Sequence, residues 1–169
     1  MTQTLVKPRL KPLLKLGLGA LLLTTLPALA NTVNYQALNP KNALVFKTGK
    51  GGVKFSVITD PNCGYCRKLE QNLARIDNIT VNKYLVNYFG SSDNSQNIWC
   101  SKNRNQAFLN LMQYNIQPPA RAWCKTPMTS NMIVAKSFNM RGTPMIIKPN
   151  GEYIYGAPPV DELIAWLNK

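Results

Sequence analysis

The four residues Cys63-Gly64-Tyr65-Cys66 constrain this chain more than any others because of where they fall. They follow an apolar strand-like run, Val53 to Thr59, and a turn, Asp60-Pro61-Asn62, and they open a helix-like run from Arg67 to Ile76. Two cysteines separated by two residues at a helix start can close a small disulfide ring. Either sulfur can also be held as a reactive thiolate by the helix N-terminus. Strand, turn, Cys-x-x-Cys and helix, in that order, are the layout of a site for thiol–disulfide exchange.

Helix phase separates the two sulfurs. Leu69, Leu73 and Ile76 recur at helical spacing and define a buried face. Cys66, three residues before Leu69, continues that face inward. Cys63 falls at the cap, where unpaired N–H groups and the positive end of the macrodipole favour an anion, and Arg67 and Lys68 add positive charge. Cys63 is therefore expected to be the exposed attacking thiolate and Cys66 the shielded resolving thiol. A Cys-x-x-Cys can also be half of a zinc site or a structural disulfide. Zinc would need two more ligands; the chain has no histidine, and its other cysteines, Cys100 and Cys124, form no second Cys-x-x-Cys. No metal and no cofactor are expected.

The N-terminus sets the compartment. Lys7, Arg9, Lys11 and Lys15 precede an apolar stretch, Leu16 to Leu26, and Pro27 leads into Ala28-Leu29-Ala30, an A-x-A-type cleavage site. Residues 1–30 read as a signal peptide, with an uncleaved membrane anchor as the alternative, although the apolar run is short for a transmembrane helix. Either way the folded part leaves the cytoplasm, where oxidised cysteines become plausible. An export signal with no eukaryotic retention tail points to a bacterial periplasm. The remaining 139 residues suffice for one domain. Removing the four basic residues of the signal leaves 16 basic against 7 acidic, a balance of +9. These charges are scattered and no nucleic-acid motif accompanies them, so a solvated basic surface is expected rather than a nucleic-acid partner.

Residues 31–42 are polar and read as a loose lead-in to a domain at 43–169. Ala43 to Phe46, Val53 to Thr59 and Ile79 to Phe89 are strand candidates. Gly49-Lys50-Gly51-Gly52 is a turn; it lacks the spacing and the Ser/Thr of a phosphate loop. A helical insertion spans about 90–126, with pieces around Ser95–Lys102 and Asn105–Tyr114. Thr126-Pro127 has the form of an N-cap with proline at the first helical position, starting a helix to about Met140. Met145 to Lys148 and Glu152 to Tyr155 form a hairpin about Pro149-Asn150-Gly151. Asp161 to Asn168 closes the chain as a helix with Leu163, Ile164 and Leu167 inward. The order β-β-α-β-(helical insertion)-α-β-β-α is that of an α/β thioredoxin-like fold with an inserted helical segment.

From Thr59 onward the chain resembles the catalytic domain of the bacterial DsbC/DsbG family of periplasmic disulfide isomerases. The matching pieces are Thr59-Asp60 before Cys63-Gly64-Tyr65-Cys66, Ile98-Trp99-Cys100-Ser101-Lys102, Asn105-Gln106-Ala107-Phe108, Cys124, Gly142-Thr143-Pro144, Pro149-Asn150-Gly151 and Gly156-Ala157-Pro158-Pro159. The resemblance implies that Cys63 and Cys66 are catalytic. It implies that Gly64, Tyr65, Thr143 and a cis Pro144 form the active-site loop and client-binding surface, and that Cys100 and Cys124 form a structural disulfide shielded by Trp99 and Trp123. Thioredoxin places a carboxylate six residues before its first active cysteine; that position is Val57 here, and no buried base for Cys66 is evident. Asp60 is too close to the turn for that role. The family's N-terminal dimerisation domain has no counterpart in this sequence, so a monomer is expected.

Partners implied are exported cysteine-containing clients and a membrane thiol oxidase or reductase that resets the site. The alternative function is a thioredoxin-fold chaperone or assembly module, for example in a conjugation or secretion system, whose Cys-x-x-Cys is structural. A thiol peroxidase has little support, because the two cysteines are arranged for dithiol exchange.

Overall fold

The seven residues of β2 (Val53–Thr59) run parallel to β3 (Ile79–Leu85), with Val57 beside Lys83 and Thr59 beside Leu85. Around this pair the sheet is completed in the order β1-β3-β2-β4-β5. β1 (Leu44–Lys47), β4 (Met145–Ile147) and β5 (Tyr153–Tyr155) are each antiparallel to their neighbours. The structure is a computed structural model and describes residues 31–90, 93–121 and 123–169. The expected signal peptide, residues 1–30, lies outside the described residues.

Strand alternation assigns the two faces of the sheet. Phe55 and Val57 of β2, Ile79 and Val81 of β3 and Ile146 of β4 pack with Leu69, Leu73, Ile76 and Leu163, which belong to α1 (Gly64–Leu73), its exit and α5 (Val160–Leu167). Ile58, Tyr84, Met145 and Ile147 point the other way, against Ala135 of α4 (Met128–Ser137), Phe138 and Leu38. The insertion supplies α2 (Asp93–Trp99) and α3 (Arg104–Tyr114), whose Ile98, Trp99, Phe108, Leu111 and Met112 form a third cluster with Cys63, Cys66 and Leu85. Burial of these side chains is worth roughly 1.5–3 kcal/mol each.

Several local expectations change. α1 begins at Gly64, not Arg67, because Cys63 caps it, and it ends at Leu73. β3 stops at Leu85, where its parallel ladder with β2 ends, so Val86 to Phe89 are not strand. Thr126 is not the N-cap of α4: Pro127 occupies that place without a side-chain bond, and the helix ends at Ser137. In α5, Leu163 is fully buried and Val160, Trp166 and Leu167 pack partly buried on the same core, while Ile164, expected inward, is 37% exposed.

Residues 31–42 are not loose. Two 3-10 turns, Tyr35–Ala37 and Pro40–Asn42, are capped by the side chains of Asn34 and Asn39, and Leu38 is buried. The Val33 N–H donates to the Gly151 carbonyl, and the Tyr153 N–H to that of Asn31. Gly151 makes this possible: its φ is +89°, and a Cβ there would lie 2.3 Å from the Val33 oxygen.

Candidate active site

The site is built at the C-terminal end of β2. Asp60 is fully buried and organises the turn: its Oδ1 accepts the Asn62 N–H at 2.8 Å, its Oδ2 the Phe89 N–H at 2.9 Å, and its carbonyl the Cys63 N–H at 3.0 Å. This ties the Cys-x-x-Cys loop to the segment leaving β3. Cys63 then takes extended backbone angles, φ −85° and ψ 123°, and becomes the N-cap of α1, its Sγ accepting the Cys66 N–H at 3.4 Å. Gly64 opens the helix with open space where a Cβ would stand, and Tyr65 is 66% exposed beside it.

The wall opposite comes from the loop before β4. The Thr143–Pro144 peptide is cis, and the Cys63 thiol donates to the Thr143 carbonyl at 3.2 Å. This covers Cys63, which is only 4% exposed; the expectation of an exposed sulfur is corrected because a carbonyl from distant chain closes over the cap. Cys66 is fully buried one turn below. Both are free thiols. Burial chiefly pushes the Cys66 thiol up to about 12, opposed by hydrogen bonding from the Thr143 and Thr59 side chains and the Asp60 backbone, and reinforced by Cys63.

A disulfide joins Cys100, just after α2, to Cys124, with Cα atoms 5.8 Å apart. Trp99 beside it is buried, with the Arg104 guanidinium 4.3 Å from its ring centroid. Trp123, expected in the core, is 79% exposed, because the segment carrying it runs over the surface of the insertion. The insertion also touches α1: Arg67 Nη1 donates to Oδ1 of Asn115, the left-handed cap of α3.

Sequence inspection missed a buried ion pair. Lys83 of β3 bonds Glu70 of α1, and both side chains are at most 3% exposed. Burial chiefly raises the Glu70 carboxyl and lowers the Lys83 ammonium, and each partner opposes the other's shift. Lys83 also lies 3.9 Å from the Phe46 ring centroid and 5.0 Å from that of Phe108. A signal was present. Glu70 follows Cys66 by four residues on the inward face of α1, and Lys83 alternates with Ile79, Val81 and Leu85. The pair stands beside Val57, so charge is buried near the position where the sequence offered only an apolar residue. Among the described residues no group of three or more His, Cys, Asp or Glu could hold a metal, and no helix is long and apolar enough to cross a membrane.

A profile of the thioredoxin-like domain family matches residues 40–169. The probable thiol:disulfide interchange protein DsbC of Bordetella pertussis is 35% identical over 121 residues, which are 70% of this chain and 43% of that protein. The thiol:disulfide interchange protein DsbC of Escherichia coli is 28% identical over 150 residues, 82% of this chain and 63% of that one. The chain thus spans about half the length of these relatives. Among solved structures, a disulfide interchange protein from Neisseria gonorrhoeae superposes with a TM-score of 0.73 at 24% identity, covering 78% of this chain and 96% of that chain. A periplasmic thioredoxin-like protein from Salmonella enterica gives 0.61 at 22% identity, covering 79% and 93%. Both structural likenesses speak to the fold.

Proposed function

The chain belongs to the thioredoxin-like domain family as a DsbC-like member, and from that membership we propose that it is a periplasmic thiol–disulfide oxidoreductase acting on exported proteins through Cys63 and Cys66. The observation that carries the proposal is the position of Cys63 Sγ, at the N-cap of α1 between the Cys66 N–H and the Thr143 carbonyl. A sulfur so placed loses the S–H bond to Thr143 when it ionises, but keeps the Cys66 N–H and the positive helix end as partners for the anion.

In the reductive direction the Cys63 thiolate attacks one sulfur of a client disulfide. A Cys63–client bond forms, and the client's other sulfur leaves with the electron pair. Cys66, its proton passing to the thiolate the client has released, then attacks Cys63. The Cys63–Cys66 bond forms and the client departs as a dithiol, two electrons richer. Client oxidation is the reverse. Tyr65, Gly64 and the Thr143-Pro144 loop surround the reacting sulfur and form the surface a client meets. A membrane thiol oxidase or reductase resets the pair, the signal at residues 1–30 delivers the chain to the periplasm, and the domain works as a monomer.

Insulin reduction by dithiothreitol, with and without the protein, tests the proposal. Acceleration that vanishes in Cys63→Ser supports it. No acceleration, with Cys63–Cys66 oxidised and inert to glutathione, favours a binding module with a structural Cys-x-x-Cys.

A further inference from the structure

The loop that covers Cys63 is held from β5. Before it, α4 closes on Asn139, whose φ is +50°, with the Asn139 N–H donating to the Lys136 carbonyl and the Met140 N–H to that of Ala135. Arg141 comes next, and Gly142 separates it from Thr143, whose carbonyl accepts the Cys63 thiol at 3.2 Å. The phenol oxygen of Tyr155, the last residue of β5, accepts the Arg141 N–H at 3.1 Å. At the other end of the loop the Gly156 N–H donates to the Pro144 carbonyl at 2.9 Å, and Tyr155 is paired with Met145 in the ladder. Residues 141–145 are therefore pinned at both ends by Tyr155 and Gly156, at one end through a side chain. The Tyr155 ring stands edge-on to that of Tyr153, with centroids 5.6 Å apart, so its reach toward Arg141 is braced by a second ring.

We propose that Tyr155 is a positioning residue for the exchange site: by accepting the Arg141 N–H, its phenol holds segment 141–143 so that the Thr143 carbonyl stays over Cys63, where a client chain meets the sulfur. Backbone pairing anchors only the Pro144 end of the loop. Between the two anchors lies Gly142, with open space where a Cβ would stand and the widest backbone freedom of any residue. Without the phenol, the Arg141 end is free to swing about that glycine. Water can satisfy the exposed N–H in its place but does not hold it at a fixed distance from β5. A loosened Thr143 carbonyl covers Cys63 less well. It also meets the S–H less often, and the S–H is the only form of the sulfur that can donate to a carbonyl. Both changes leave Cys63 more open to a small alkylating agent and less well framed for a client.

The consequence for clients rests on the proposed exchange chemistry, and the experiment keeps the two apart. Tyr155→Phe removes the phenol oxygen and keeps the ring; Tyr153→Phe is the control on the neighbouring ring. Each reduced, full-length mature protein is alkylated with iodoacetamide at neutral pH, and the products at Cys63 and Cys66 are separated by peptide mapping. The expected result is Cys63 alkylated about threefold faster in Tyr155→Phe, the low end for one hydrogen bond because this one is exposed, with Cys66 as slow as in wild type and Tyr153→Phe unchanged. Cys63 alkylated at the wild-type rate overturns the proposal. So does equal acceleration at Cys66 or in Tyr153→Phe, the mark of a loosened fold rather than a displaced loop. A disulfide-bonded peptide reads the consequence for clients. In the Cys66→Ser background, the concentration that half-saturates mixed-disulfide formation should rise about threefold on Tyr155→Phe. An unchanged value overturns the framing of the client and leaves the hold on the carbonyl standing. No mixed disulfide in Cys66→Ser itself overturns the exchange chemistry, while faster alkylation of Cys63 still reports the loop.

Discussion

The Cys63 thiol and the Thr143 carbonyl meet at 3.2 Å across 80 residues of chain. This contact covers the cap sulfur, and a client sulfur must displace it to react. Cys66 is more deeply placed and fully buried. The two thiols are therefore unequal. Cys63→Ser should abolish exchange, whereas Cys66→Ser should accumulate mixed disulfides with clients. Non-reducing gels after thiol trapping check this; equal trapping by both variants would reverse the assignment.

The reduced protein should lose stability as pH rises. Burial chiefly moves the Cys66 thiol from 9.0 to about 12, so between those values the unfolded chain has released a proton that the folded chain still holds. Stability then falls with pH across that window and is unaffected by this group below it. Urea melts of Cys63→Ser against Cys63→Ser/Cys66→Ser, at pH 7 and pH 10, isolate the effect. The single variant should lose more stability at the higher pH. Identical losses would show that Cys66 titrates normally.

The Glu70–Lys83 pair should behave as a buried couple rather than as two independent charges. Glu70→Leu or Lys83→Met alone leaves an uncompensated buried charge and should cost about 3–5 kcal/mol, while the apolar pair Glu70→Leu/Lys83→Met should be close to neutral. Chemical denaturation of the four proteins completes the cycle. Single variants that cost under 1 kcal/mol, by the same scale, would mean the pair is solvated in solution.

The Cys100–Cys124 bond should survive mild reductants that open Cys63–Cys66. It joins residues 24 apart, and closing a loop of that length should stabilise by roughly 3–4 kcal/mol through chain entropy. Peptide mapping after partial reduction, with melts of Cys100→Ser/Cys124→Ser, checks both statements. Release of Cys100 before Cys66 would contradict them.

Sedimentation at micromolar concentration should find a monomer. Each edge strand meets another segment of the chain at one point: the Val45 carbonyl of β1 accepts from Asn105 Nδ2, and the Tyr153 N–H of β5 donates to the Asn31 carbonyl. Such contacts interrupt the edges that a second copy would pair with. Refolding of scrambled ribonuclease, an isomerisation, should then be weak relative to insulin reduction. A stable dimer with strong isomerase activity would show an interface away from the sheet edges.

What the sequence determined by itself was local and periodic. The apolar run Val53–Thr59, the turn at Asp60, the Cys-x-x-Cys at a helix start and the Asn150-Gly151 hairpin each follow from residues a few positions apart, and so does the inward phase of Cys66. Periodicity names a face but not the partner that will cover it. Only the tertiary structure brought Thr143 over Cys63, set Glu70 against Lys83 beneath the helix and left Trp123 on the surface. Each depends on contacts between segments distant in the chain, where the desolvation of a sulfur, a charge or a ring is decided by what packs against it.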